Sequence, residues 1–227
     1  MVYPFPLELL KSIKHLHSLR NAFTFCRLRH GGFTLLSYKR MQKLFCLANE
    51  AASIDGDIVE CGCYNGGSGA ILALASQKKT WLFDSFEGLP PPTKEDGEWT
   101  MHQYYVGWDK GSIEKVSVAF SLLGVPRNQY VCVKGWFQET LPNASVEKIA
   151  LLHVDADWYD SVRLVLSRFY QNVQPGGFVV IDDYGHWEGC RKAVDEFLAS
   201  VDENIRLIRI DEDGVYFQKP LTSNLLA

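Results

Sequence analysis

The chain has 227 residues, with 23 Lys and Arg against 27 Asp and Glu. A slightly acidic chain of this length favours one domain with its own core and argues against a nucleic-acid binder, which needs a basic face. At 47% hydrophobic and 22% charged residues it also lies outside the disordered, collagenous and disulfide-scaffold classes.

Leu9, Ile13 and Leu16 recur at helical spacing among Lys11, Lys14, His15 and His17, which predicts an amphipathic helix running to Gly31-Gly32. Residues 1–37 read as a helical extension packed on the main domain, residues 38–227, or on a second copy of the chain; a membrane-surface role is the alternative. His15, His17 and His30 have no carboxylate companions and read as solvated. No apolar run approaches the ~20 residues of a membrane span, and Glu8, Lys11 and Lys14 interrupt a secretory signal. The six cysteines lack Cys-x-x-Cys or zinc-like spacing, so buried, reduced thiols and a cytoplasmic setting are expected.

A helix is predicted over Tyr38 to Ala52, followed by apolar runs suited to strands buried on both faces: Asp57 to Cys61, Thr80 to Phe83, Tyr130 to Lys134, Lys148 to Val154 and Phe178 to Ile181. Helices are predicted between them at Ser68 to Ser76, Ser112 to Leu123 and Ser161 to Val173, with another at Cys190 to Ser200. Gly176-Gly177 is read as closing the fourth crossover. Strand and helix in alternation predict an α/β doubly wound, mostly parallel sheet. Ile205 to Lys219 alternates on either side of Asp213-Gly214, which predicts a C-terminal antiparallel hairpin. Pro90 to Gly111 has no period and is too long for a neutral connection, so a lid is expected there.

The segment Asp57 to Gly69, DIVECGCYNGGSG, places Glu60 on a strand and Gly62, Gly66, Gly67 and Gly69 in the turn after it, where backbone can approach a ligand. It fails the G-x-G-x-x-G pattern at Tyr64, which favours a nucleoside ligand without pyrophosphate. Asp84 ends the next strand, where an acid in such folds accepts hydrogen bonds from ribose. Asp155 and Asp157 end the fourth strand and Asp182 and Asp183 the fifth. Four acids converging on one crevice repel one another unless a cation neutralises them, and oxygen donors favour Mg²⁺, Mn²⁺ or Ca²⁺ over zinc. Singly, each acid could be a helix cap.

These residues resemble the macrocin O-methyltransferase family, sugar methyltransferases with the class I fold. The resemblance spans about Tyr38 to Phe197 and rests on GDIVECGCYNGG, the DSFEGLP run from Asp84 to Pro90, GWFQETLP from Gly135 to Pro142, HVDADWYDS and GGFVVIDDYGHWEGCRKAVDEF. It implies transfer of a methyl group from S-adenosylmethionine (SAM) to a sugar hydroxyl with Mg²⁺ or Mn²⁺. It implies Asp155, Asp182 and Asp183 as metal ligands, Asp157 as general base, and a cofactor pocket of Glu60, Gly62, Tyr64, Gly66, Asp84, Ser85 and Trp136. His186, three residues past Asp183, is the competing base, because its reference pKa of about 6.5 lies nearer the working pH. The rival readings are a catechol-type methyltransferase, a glycosyltransferase using Asp155-Ala156-Asp157 as its Asp-x-Asp, and a non-catalytic SAM-binding scaffold.

Overall fold

A computed structural model describes residues 19–98, 100 and 105–221. The predicted helix from Leu9 lies outside these residues until Leu19. From there α1 (Leu19–His30) runs to Gly31-Gly32, where Gly31 N–H closes on the Arg27 carbonyl and Gly32 takes φ +69°. The helix α2 (Tyr38–Ala51) starts at Ser37, whose hydroxyl accepts the Arg40 N–H at 3.2 Å.

The body alternates β1 (Asp57–Cys61), α3 (Gly67–Ser76), β2 (Thr80–Asp84), α4 (Ile113–Leu122), β3 (Tyr130–Lys134), α5 (Phe137–Thr140), β4 (Ile149–Val154), α6 (Tyr159–Phe169), β5 (Val173–Ile181) and α7 (Glu188–Ser200), and ends in β6 (Ile208–Arg209) and β7 (Val215–Gln218). The sheet order is β3-β2-β1-β4-β5-β7-β6, parallel through β5 and antiparallel at β7. All five predicted parallel strands are present, and the apolar runs are explained by burial on both faces. Ile58, Leu151 and Val180 join one apolar cluster, with residues of α1 to α4; their neighbours Val59, Leu152 and Val179 join a second, with α6 and α7. Ala22, Phe25 and Leu28 of α1 are buried in that first cluster, so the described part of the extension shares the body's core.

Three local expectations are corrected. Gly176-Gly177 lies inside β5, where it makes an irregularity: Ile149 pairs with Val173 but Leu151 with Phe178. The hairpin loop is wider than the two residues Asp213-Gly214. Asp211 organises it by accepting the N–H groups of Asp213 and Gly214, and β6 keeps only two residues. The helix predicted over Ser161 to Val173 ends at Phe169 and gives way to a 3-10 turn over Tyr170–Asn172.

Candidate active site

The strand order reverses between β1 and β4, so the carboxyl ends of β1, β2, β4 and β5 open onto one crevice. A cavity of about 320 Å³ lies there, lined from α2, the ends of these strands, the Gly88–Pro90 segment, Asp109 and the Trp136–Gln138 segment. Thr34, Leu35 and Leu36, ahead of α2, also line it, so the boundary segment between extension and body contributes a wall.

The glycine turn after β1 is dictated by crowding. A Cβ on Gly62 (φ +87°) would lie 1.7 Å from the Asp155 carbonyl oxygen, and one on Gly66 (φ +81°) would press on Val116. Tyr64 is held at φ +49°. Asp84 clamps this turn: Oδ2 accepts the Cys63 and Tyr64 N–H groups at 2.8 Å each, and Oδ1 accepts Phe86 N–H at 2.7 Å. Burial pushes the Asp84 carboxyl up, and the three N–H donors partly offset it. Ser85 accepts Glu87 N–H at 3.0 Å. Gly62, Tyr64, Asp84, Ser85 and Trp136 all line the cavity, and Trp136 is half-buried rather than in the core.

Two expected cofactor-pocket residues do not line it. Gly66 serves as the left-handed N-cap of α3. Glu60 is fully buried in the sheet, paired with His153 Nδ1 at 2.9 Å across β1 and β4. Its side chain emerges on the face that packs on α3, where it lies against Gly69.

Asp155, Asp157 and Asp183 each offer an oxygen within 4.8 Å of the others. Burial, then the neighbouring carboxylates, raises Asp155 and Asp183 well above the usual range. Asp183 Oδ2 is buried without a hydrogen-bond partner. Asp157 is pushed up to about 7 by burial, opposed by a hydrogen bond from Trp187 Nε1 to its Oδ1 at 2.9 Å. Its backbone sits at φ +54°, a left-handed conformation that Asp tolerates better than most side chains. Asp182 lies outside this close group of three. One of its oxygens is 2.5 Å from Arg40 Nη1, and that guanidinium also bonds Asp211 and Asp213 of the hairpin loop. His186 is exposed, its ring edge-on to Trp187 at the cavity wall.

Of the described residues of the 90–111 segment, Pro90 and Asp109 line the cavity. The base of the segment is fastened by Leu89 N–H to the Trp108 carbonyl and Gly107 N–H to the Leu89 carbonyl, at 2.8 and 2.9 Å. Trp158 Nε1 donates to the Pro90 carbonyl. Asp96, fully buried, accepts Tyr159 N–H at 2.7 Å and so caps the first turn of α6 from within this segment. Tyr105 meets the rings of Trp108, Trp158 and Trp187 edge-on. Sequence reasoning missed Arg40, Asp96 and Asp211, whose distant partners are between 63 and 174 positions away. No spacing pattern marks such pairs.

A doubly wound sheet with an antiparallel β7, a glycine turn after β1 and an acid ending β2 at the switch point defines a class I methyltransferase. The macrocin O-methyltransferase family model matches residues 27–219, and the chain belongs to that family. It is 33% identical over 199 residues to a mycinamicin III 3''-O-methyltransferase of Micromonospora griseorubida, covering 82% of this chain and 78% of that one. It is 30% identical over 202 residues to an 8-demethyl-8-(2,3-dimethoxy-alpha-L-rhamnosyl)-tetracenomycin-C 4'-O-methyltransferase of Streptomyces olivaceus, covering 84% and 77%. The solved O-methyltransferase NovP matches with a TM-score of 0.75 at 31% identity over 83% of this chain and 82% of its own. The protein is thus a SAM-dependent O-methyltransferase, which sets aside the glycosyltransferase and scaffold readings. Among the described residues, no helix is long and apolar enough to cross a membrane.

Proposed function

We propose that this protein methylates a sugar hydroxyl on a glycosylated small molecule and that a hard divalent cation, Mg²⁺ or Mn²⁺, assists at the ends of β4 and β5. The rhamnosyl group in the name of the tetracenomycin relative supports the sugar. The observation that carries the cation is the meeting of Asp155, Asp157 and Asp183 within 4.8 Å, with Asp183 Oδ2 buried and unpartnered. Carboxylates so placed repel one another, and an all-oxygen donor set suits these ions.

Asp155 and Asp183 are the anchors of the cation, and Asp182 completes the set with the oxygen Arg40 leaves uncommitted. When bound, the ion lowers the pKa of the acceptor hydroxyl and aligns it with the methyl group. Asp157 takes the proton. Burial raises its carboxyl above the ordinary range in the cation-free protein, which strengthens it as a base, and the Trp187 indole fixes its direction. His186, at the exposed wall, contacts the acceptor rather than the proton. Gly62, Tyr64, Asp84, Ser85 and Trp136, which line the cavity, would hold the cofactor. Pro90 and Asp109, from the described residues of the 90–111 segment, would help to keep water from the methyl donor.

The test is methyl transfer from isotopically labelled SAM, with Mg²⁺ or with EDTA, offered to glycosides and to catechols. Label in a glycoside that requires the ion is the expected result. Full turnover in EDTA removes the cation, and label in catechols alone replaces the sugar.

A further inference from the structure

Arg40 is the one Lys or Arg side chain among the described residues that lines the cavity, and its charge is already distributed over three carboxylates. Nη1 bonds Asp182 at 2.5 Å, Nε bonds Asp211 at 2.8 Å and Nη2 bonds Asp213 at 2.6 Å. The fork is itself held rigidly. Asp211 accepts from the Ser37 hydroxyl and, through its other oxygen, from two N–H groups of its own loop. Ser37 caps the helix that carries Arg40. The same loop braces the segment after β5: Gly185 N–H donates to the Asp213 carbonyl at 2.8 Å, and a Cβ on Gly185 would meet the Glu212 oxygen at 2.1 Å. Arg40 therefore joins α2, the end of β5 and the β6–β7 loop at the edge of the acidic cluster.

We propose that Arg40 is a positioning residue that lowers the affinity of the cation site and holds Asp182 in its productive orientation. This rests on the cation reading above. A guanidinium in contact with Asp182 cancels part of the negative field that a divalent ion experiences at Asp155 and Asp183, and it prevents Asp182 from swinging fully onto the ion. Without it Asp182, Asp211 and Asp213 are all uncompensated, and Asp182 is free to turn toward the cation. Affinity for the ion then rises while its placement relative to the acceptor degrades. A merely structural role gives the opposite pattern, because a damaged site binds the ion less well.

The test is a Mn²⁺ titration of the purified protein followed by the electron paramagnetic resonance signal of free Mn²⁺, with kcat measured alongside on the same preparations. Wild type binds Mn²⁺ at one site. In R40Q the dissociation constant falls about ten-fold, as expected for removing a unit charge a few ångströms away, while kcat drops. R40K keeps the charge and stays within about three-fold of wild type in Mn²⁺ affinity. Should R40Q fold poorly by circular dichroism, D213N is the second variant. Relieving Arg40 of its most exposed partner leaves more of its charge on Asp182, and the dissociation constant rises. An unchanged or raised dissociation constant in folded R40Q, or an unchanged one in D213N, overturns the role of Arg40. No Mn²⁺ binding by wild type overturns the cation reading itself.

Discussion

Trp187 Nε1 donates to Asp157 Oδ1 at 2.9 Å, joining the loop after β5 to the end of β4. That bond favours the charged carboxylate and works against the burial that raises it to about 7. Trp187→Phe keeps an aromatic ring but removes the donor, so the Asp157 carboxyl titrates higher. The acid limb of the kcat/KM profile is expected to move to higher pH in this variant, with turnover at neutral pH reduced. A pH-rate profile that coincides with wild type would separate Asp157 from proton transfer.

The choice between the two base candidates is measurable directly. Asp157→Asn is expected to lower kcat by about 10²- to 10⁴-fold, the usual contribution of a positioned base. His186→Gln is exposed and is expected to act mainly on the KM of the acceptor. Steady-state kinetics on both variants at saturating SAM distinguish them, and the reverse ranking transfers the role to His186.

The cation-free protein should lose stability as pH rises. Asp155 and Asp183 keep their protons in the folded state to well above the carboxylate range, whereas in the unfolded chain they ionise near pH 3.9. Between those limits the folded state binds more protons than the unfolded one, so unfolding free energy declines with increasing pH. In EDTA the Tm contribution of these groups falls as pH rises above the unfolded carboxylate pKa, and saturating Mg²⁺ flattens that slope by binding only the folded form. Asp183→Asn flattens it without metal. Thermal scans across this window make the measurement; equal slopes in wild type and Asp183→Asn refute the assignment.

Asp84 clamps the turn proposed to receive the cofactor, so Asp84→Asn is expected to act twice. Three N–H donors lose a charged acceptor, with hydrogen bonds to charged groups worth about 1.5–3 kcal/mol each and partly retained by the amide oxygen. Calorimetry with S-adenosylhomocysteine should show weakened binding together with a lower Tm. Unaltered binding despite a lower Tm confines Asp84 to the turn.

Asp96 joins the 90–111 segment to the first turn of α6. Asp96→Ala removes a cap worth about 1–2 kcal/mol and leaves the Tyr159 N–H without its acceptor. Faster proteolytic cleavage within the segment and a higher acceptor KM, with cofactor affinity little changed, are the expected outcomes. Unchanged cleavage would show that the segment is fastened by Leu89, Gly107 and Trp158 alone.

The sequence determined the parallel strands and their carboxyl-terminal acids, because a strand buried on both faces must be a continuous apolar run and the turn after it must be polar or small. Gly62, Asp84 and the Asp155–Asp183 region were legible for that reason. The tertiary structure alone decided how the acids divide. Arg40 reaches Asp182 across 142 positions, which leaves Asp155, Asp157 and Asp183 as the close group. It also withdrew Glu60 into the sheet beside His153, since strand pairing, invisible to local pattern, sets which residue faces which. Periodicity reports the face a residue shares with its own element, whereas the field a carboxylate experiences depends on charges brought beside it by folding.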